Sequence, residues 1–208
     1  MQNADPEPKK IGKLVSHQPS GGWVNRIKEI EQGGKMKTIF QAFARYNGSV
    51  NRSILEIVEP LKKEQVMMET KAYYPSIFET LLHNLIADLN WLKRYRDTFK
   101  ENKGLNNSNL ISLEDKGLRK EFESDYTKFF QYRKQMDDVI IQFVNELDES
   151  KLGSVIRYKN YKGEDIEKEI WKTLLHWFNH QTHHRGQVSV LLDMVGVDHD
   201  FSSMMTRI

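Results

Sequence analysis

The positions of the prolines constrain this chain more than any other feature. All five lie within the first 75 residues, and none follows Pro75. A proline inside a helix costs about 3 kcal/mol, because its ring removes a hydrogen-bond donor and collides with the preceding turn. The proline-free remainder can therefore form long helices. Its apolar residues recur at spacings of three and four, which is the period of an amphipathic helix.

This spacing predicts four long helices. The first ends before Pro60, since a residue that precedes proline disfavours the helical conformation. Ser76 and Glu79 form a capping-box signature at the start of the second, and Gly196 is a natural stop after the fourth. The predicted helices cover residues 36–59, 76–99, 118–147 and 167–195. The predicted fold is all-α, a four-helix bundle. The alternative, an array of helical hairpins, would show an internal repeat, and none is visible.

The segments outside these helices differ in composition. Residues 101–109 are rich in Asn, Gly and Ser and are predicted to form a polar loop. Residues 155–161 are β-branched and aromatic, with turn-forming residues at 162–165, so they predict a short hairpin or an extended crossover before the last helix. Residues 1–35 carry prolines, Gly-Gly pairs and few apolar side chains. We therefore expect a flexible extension there and a bundle domain over residues 36–208.

Charge and cysteine content exclude several function classes. The formal net charge of +2 provides no basic excess to neutralise phosphates, so a dedicated nucleic-acid binder is not expected. The absence of cysteine excludes disulfides, thiolate metal sites, iron–sulfur clusters and a cysteine nucleophile. No apolar run has the length of a membrane span, and no apolar secretory region follows Met1. We therefore expect a cytoplasmic protein with no membrane partner, whose chemistry would depend on histidine, carboxylate or a metal ion.

Four of the seven histidines lie close together in the last predicted helix. His180 and His184 are four residues apart, which places both imidazoles on one face at the spacing by which a helix chelates a divalent ion. Two ligands hold a metal weakly, and His83, centred in another long helix, would supply a third. The alternative for His83 is a hydrogen-bonded core histidine. His176 could be a fourth ligand or a packing residue, and His183 is expected to pack beside the site.

Two well-known metal motifs do not match this sequence. The HExxH motif of zinc proteases needs a Glu directly after its first His as general base, and Gln181 takes that place. Di-iron bundles need a Glu three residues before their ligand histidines, and none of His83, His176, His180 and His184 has one. A metal site here would therefore be a mononuclear histidine site with positions left for water and substrate.

The stretch NHQTHHRGQ at residues 179–187 resembles a motif in the last helix of the DinB-like family, which includes YfiT-like metal-dependent enzymes. The stretch LHNLIADLNWL at residues 82–92 resembles the motif in the family's second helix, and Tyr46-Asn47 resembles its pattern in the first. The resemblance covers residues 36 to 195. It implies an up-down-down-up bundle, often a homodimer, with a nickel or zinc ion held by His83, His180 and His184.

Several neighbours of these histidines are candidates for supporting the ligands or for contacting a substrate. Arg185 could hold an anion or a buried carboxylate, because its guanidinium stays charged. Gln187, three residues after His184, could hydrogen-bond a ligand. Asp88 could accept a histidine N–H, as carboxylates do around metal sites. His176 and His183 complete this set.

Two functions remain open from the sequence. In the first, the ion activates a water or a low-molecular-weight thiol against a small-molecule substrate. The resemblance implies thiol transferases that use bacillithiol, mycothiol or glutathione, or related isomerases; a hydrolase would need a base, for which Glu79 is the nearest carboxylate. In the second, the ion fastens two helices of a non-catalytic dimeric bundle. A closed fourth ligand would favour the second function, and an open position facing a pocket would favour the enzyme.

Overall fold

A computed structural model describes residues 35–208 of the chain. Within this range the fold consists of seven α-helices, two 3₁₀ turns and one hairpin. The elements are α1 (Lys35–Val58), α2 (Lys63–Val66), α3 (Ile77–Thr98), α4 (Lys103–Asn106), a 3₁₀ turn (Asn109–Ser112), α5 (Asp115–Ser124), α6 (Lys128–Asn145), a second 3₁₀ turn (Glu149–Lys151), β1 (Val155–Lys159), β2 (Asp165–Glu169) and α7 (Ile170–Met194). The prediction for residues 1–35 lies outside the described residues, except that Lys35 begins α1.

The four long helices α1, α3, α6 and α7 form the predicted all-α bundle, and paired residues fix their directions. Along α3, later residues contact later residues of α6 but earlier residues of α7, so α3 runs parallel to α6 and antiparallel to α7. The pairs are Asp88–Arg133, Tyr95–Phe143, Asp88–Trp177 and Tyr95–Thr173. The pairs Gln41–Asn145 and Asn51–Asp137 make α1 antiparallel to α6. The order up-down-down-up is therefore confirmed.

Local signals in the sequence set the ends of these helices. At the start of α3, the backbone N–H of Glu79 donates to Ser76 Oγ at 3.1 Å, as the capping signature predicts. The Glu79 carboxylate accepts two hydrogen bonds from Arg119 of α5, at 3.0 and 3.2 Å. After α7, Gly196 has a φ of 72°, a left-handed conformation that glycine adopts without steric cost and that ends the helix.

Three predicted elements are wrong in detail. The single helix expected over residues 118–147 is two helices, α5 and α6, because Asp125 accepts hydrogen bonds from the backbone N–H and the hydroxyl of Thr127 and so competes with the helical bonds. The expected polar loop at 101–109 contains α4, which Asn102 caps. The last helix begins at Ile170 rather than near residue 167, because residues 165–169 pair with β1 as the second strand of the hairpin.

The core between the long helices is dominated by aromatic rings. Tyr95, Phe143 and Trp177 form a cluster in which the ring centroids are 5.0, 5.6 and 6.3 Å apart. The Tyr95 hydroxyl, which is buried with them, donates to Thr173 Oγ1 at 2.9 Å, so no hydrogen-bonding capacity is lost there. This cluster holds α3 against α7, the two helices that carry the histidines.

No helix in the described part of the chain is long and apolar enough to cross a membrane.

Candidate metal centre

Three histidines converge where α3 and α7 run side by side. His83 comes from α3, and His180 and His184 come from successive turns of α7. One ring nitrogen of each lies within 4.8 Å of the other two, and Nε2 of His83 is 3.0 Å from Nε2 of His180. The structure thus brings together the three histidines that the sequence suggests as ligands.

The donor set suits a divalent transition-metal ion. Zn²⁺ bonds to imidazole nitrogens at about 2.0–2.1 Å, so two nitrogens on one ion lie roughly 3 to 3.5 Å apart. The Nε2 atoms of His83 and His180 are already at this separation. No other His, Cys, Asp or Glu of residues 35–208 joins the group. Three imidazoles leave at least one position for water or a substrate, and they suit nickel, zinc, copper or iron.

The protein keeps these imidazoles in the neutral form that binds metals. Burial, together with the neighbouring His184, lowers the pKa of His83 to about 4. Burial and the surrounding histidines lower the pKa of His180 to about 3. Burial also lowers the pKa of His184, although its hydrogen bond to Gln187 opposes the shift. At neutral pH each ring therefore offers a lone pair to a metal instead of a positive charge.

Gln187 determines which nitrogen of His184 is available. The Nδ1 atom of His184 lies 2.6 Å from Oε1 of Gln187. An amide oxygen only accepts hydrogen bonds, so Nδ1 carries the proton and Nε2 carries the lone pair. A partner of this kind fixes the orientation of the ring and raises its basicity as a ligand.

Tyr74 covers the histidines from the loop that precedes α3. Its ring stacks on His83 with a centroid distance of 4.2 Å and an interplanar angle of 22°. It also meets His184 edge to face, with centroids 5.3 Å apart. Burial raises the pKa of the Tyr74 hydroxyl, so this residue is a neutral wall at physiological pH. It shields the ligands on one side and orients the His83 ring.

The other two histidines of α7 lie outside the three-histidine group. His176 is exposed, with its ring centroid 6.4 Å from that of His180 and 5.9 Å from that of Trp91. His183 is also exposed and places its ring edge to face with His184, with centroids 4.9 Å apart. His176 therefore does not close the group as a fourth ligand, and His183 packs beside it.

Arg185 lies on a different face of α7 and contacts α1. Its guanidinium lies 5.1 Å from the ring centroid of Tyr46 and donates to Thr182 Oγ1 at 3.1 Å. It is buried, and its Nη1 has no hydrogen-bond partner in the described part of the chain. With Ser189 and His199 it lines a cavity of about 380 Å³ that does not include the three histidines.

Asp88 contributes to a buried network beneath the histidines instead of accepting a histidine N–H. Its carboxylate accepts from Arg133 at 2.5 Å and from Trp177 at 2.6 Å. It also accepts from Gln181, the residue next to His180 in the sequence. The network therefore fixes the turn of α7 that carries His180.

A cavity of about 460 Å³ lies beside the three-histidine group, between the loop before α3 and the last turns of α7. Three of its lining residues, Tyr74, His183 and Gln187, are also in contact with the candidate ligands. Its apolar lining includes Val190, Leu191 and Met194. The arrangement is a group of neutral nitrogen ligands with an adjacent open space, which is typical of sites that bind a second molecule at a metal.

Comparison with known proteins identifies the group to which this chain is related. A model of the DinB family matches residues 21–201. The chain belongs to the DinB family. A relative named Protein DinB, from Bacillus subtilis (strain 168), is 24% identical over 153 residues, which cover 73% of this chain and 83% of the relative. No solved structure matches the chain at a significant level.

Sequence reasoning on this DinB-family chain missed two parts of the site. Tyr74 lies in an irregular loop, where neither periodicity nor a motif predicts its contact with His83. The second part is the pair Val190 and Met194, which are exposed apolar residues one turn apart on α7. Their spacing was a usable signal, because apolar residues one turn apart on a helix face outside the core indicate a surface that another molecule covers.

Proposed function

We propose that this DinB-family chain is a metal-dependent enzyme whose single ion is held by His83, His180 and His184. The observation that carries the proposal is a three-histidine group with no fourth protein ligand among residues 35–208, beside an open cavity. Structural ions are normally closed by four protein ligands, whereas catalytic sites keep a position for water or substrate. His176, which would have closed the site, is exposed and outside the group.

The reaction that we propose is transfer of a low-molecular-weight thiol to a small electrophile, with nickel or zinc as the ion. A bound ion lowers the pKa of a coordinated thiol and so supplies a nucleophile at neutral pH. This chemistry suits a chain that has no cysteine of its own. Hydrolysis has less support, because the carboxylate of Glu79, the nearest candidate base, is engaged by Arg119.

The residues of the chain would divide the remaining tasks. Gln187 holds the proton on Nδ1 of His184 and leaves Nε2 for the ion. Tyr74 covers the His83 ring and excludes water from that side. The cavity beside them would take the electrophile.

Metal content and a thiol screen test this function together. We expect purified, metal-supplemented protein to hold about one ion per chain, and His180→Ala to abolish stabilisation by added metal. We then expect turnover of a chromogenic electrophile with one thiol among bacillithiol, mycothiol and glutathione, and its loss in His184→Ala. His199→Ala, which removes a histidine outside the group, is the matched control and should retain turnover.

Two results would contradict the proposal separately. Fewer than about 0.2 ions per chain after supplementation, with His180→Ala no different from wild type, would contradict the metal site. Full metal loading without turnover with any of the thiols would contradict the enzyme and favour the non-catalytic metal-binding bundle.

Three expectations from the sequence stay predictions: the homodimer, the absence of a nucleic-acid partner and the cytoplasmic location.

A further inference from the structure

The cavity beside the three histidines has an apolar floor. Val190 and Met194, one turn apart on α7, are 58% and 56% exposed, and the buried Leu191 lies between them in the sequence. Lys71 is the one charged residue among those that line this cavity in the described structure. We call Val190, Leu191 and Met194 the α7 ridge. Exposed apolar side chains grouped at a concave surface mark a place where a ligand displaces water.

The opposite wall of the cavity is held in place by the loop before α3. Thr70 donates from its backbone N–H and from its hydroxyl to the carbonyl of Pro75, at 2.7 and 2.9 Å. The backbone N–H of Ala72 donates to Thr70 Oγ1 at 3.2 Å. These bonds close the loop on itself and place Tyr74 over the histidines. The cavity is therefore bounded by local structure on this side, which reduces the entropy lost when a ligand binds.

The cavity adjoins the candidate metal centre, although none of the three histidines is among its lining residues. Tyr74 stacks on His83 and lines the cavity, and Gln187 hydrogen-bonds His184 and lines the cavity. An electrophile in this cavity would thus lie against the α7 ridge, next to a thiol held at the ion. A volume of about 460 Å³ is in the range of small-molecule sites.

We infer that the electrophile that reacts at the metal centre carries an apolar chain or ring that lies on the α7 ridge. This inference rests on the proposed function, because it assumes that the substrate approaches the ion. It adds that affinity comes from the apolar body and that polar groups are confined to the end near the histidines. Small, fully polar electrophiles would then be poor substrates.

Alkyl hydroxamates of increasing length test the inference directly. A hydroxamate head chelates a metal ion through two oxygens, and its alkyl tail reports on the adjacent surface. We expect nickel-loaded protein to bind the series from acetohydroxamate to octanohydroxamate with a dissociation constant that falls about fourfold for each added methylene until the ridge is covered. Titration calorimetry with the full chain measures these constants.

Two variants and a control locate the tail. Val190→Asn and Met194→Gln should flatten the dependence on chain length while leaving acetohydroxamate affinity unchanged, because neither residue is a candidate ligand. Leu175→Asn is the matched control, since Leu175 is also an exposed apolar residue of α7 at 46% but does not line the cavity. It should keep the wild-type dependence.

The outcomes separate this inference from the function on which it rests. Equal affinity along the series would overturn the apolar substrate while supporting an open metal site. A dependence on chain length that survives in both ridge variants would also overturn it, because the tail would then lie elsewhere. A metal-loaded protein that binds no hydroxamate would contradict the open metal site, and both proposals would be rejected.

Discussion

Gln187 orients His184, one of the three candidate ligands. Replacing it with Leu removes the acceptor for His184 Nδ1–H, so the ring can rotate or change its tautomer. We expect the metal dissociation constant to rise about tenfold or more, as for other residues that hold metal-bound histidines. Competition with a chromogenic chelator measures it. Gln187→Glu, which keeps an acceptor oxygen, should stay close to wild type, and an unchanged constant in the Leu variant would refute the role.

The lowered histidine pKa values predict how the metal-free chain responds to acid. In the fold, His83 and His180 have pKa values of about 4 and 3, against an ordinary value of 6.5. Between these values the unfolded chain binds more protons than the folded one. The free energy of unfolding should therefore decrease as the pH falls from about 6.5 towards 4. Urea unfolding in the presence of a chelator, at half-unit pH intervals, measures this decrease.

A neutral variant isolates the contribution of one imidazole. His83→Gln cannot take up a proton, so it should show a shallower loss of stability over the same pH window. The comparison cancels the contribution of Asp137, whose pKa burial raises to about 6 and whose effect on stability has the opposite sign. Parallel curves for wild type and variant would mean that His83 is not held neutral by the fold.

Contacts between residues were predictable where both residues lie on the same helix. With 3.6 residues per turn, a helix places His180 and His184 on one face and Gln187 about one turn beyond His184. The structure shows this arrangement. Asp88 was a candidate to accept a histidine N–H, but its carboxylate accepts from Arg133, because tertiary packing determines the partner of a buried carboxylate. Tyr74 could not be found, since a loop has no period from which to infer its contacts.

The short helix α4 packs against α6 at a glycine. A Cβ on Gly104 would lie 3.0 Å from Gln142 Cγ and 3.1 Å from the backbone nitrogen of Phe143. The backbone of α6 cannot easily move away, so we expect Gly104→Ala to reduce the free energy of unfolding by about 1–3 kcal/mol. Chemical denaturation measures the change.

Gly186, inside α7, is the matched control for this substitution. A Cβ there would meet no atom within 4 Å. Glycine in a helix interior costs about 0.5–1 kcal/mol relative to alanine, so Gly186→Ala should stabilise the protein by about that amount. If both variants lost stability equally, the contact between α4 and α6 would not explain the effect at Gly104.

The existence and order of the elements were more predictable than their boundaries. Apolar periodicity located all four long helices, since each buries one continuous stripe. The break between α5 and α6 escaped prediction, because apolar residues continue on both sides of it while the side chain of Asp125 bonds locally to Thr127. The start of α7 was misplaced because the local sequence of residues 165–169 does not distinguish a helix from a strand. These residues form a strand by pairing with β1.

The bundle as a whole is joined by one buried charged network that touches all four long helices. Arg133 of α6 donates to Asp88 of α3 at 2.5 Å and to Asp137 of its own helix at 2.6 Å. Asn51 of α1 donates to Asp137 at 2.8 Å, and Trp177 of α7 donates to Asp88 at 2.6 Å. Residues from four helices that are distant in the sequence must meet before this network exists, so periodicity gives no sign of it.

Arg133→Met tests how much this network contributes to the fold that positions the histidines. The substitution leaves the carboxylates of Asp88 and Asp137 buried without their cation, and burial already raises the pKa of both. We expect a loss of about 3–5 kcal/mol of stability in urea unfolding. Arg52→Met is the control, because the exposed Arg52–Asp138 pair at 3.5 Å also joins α1 to α6 and should contribute less than about 1 kcal/mol. Similar losses in the two variants would show that burial does not set the strength of this network, and that the turn of α7 carrying His180 is held by apolar packing instead.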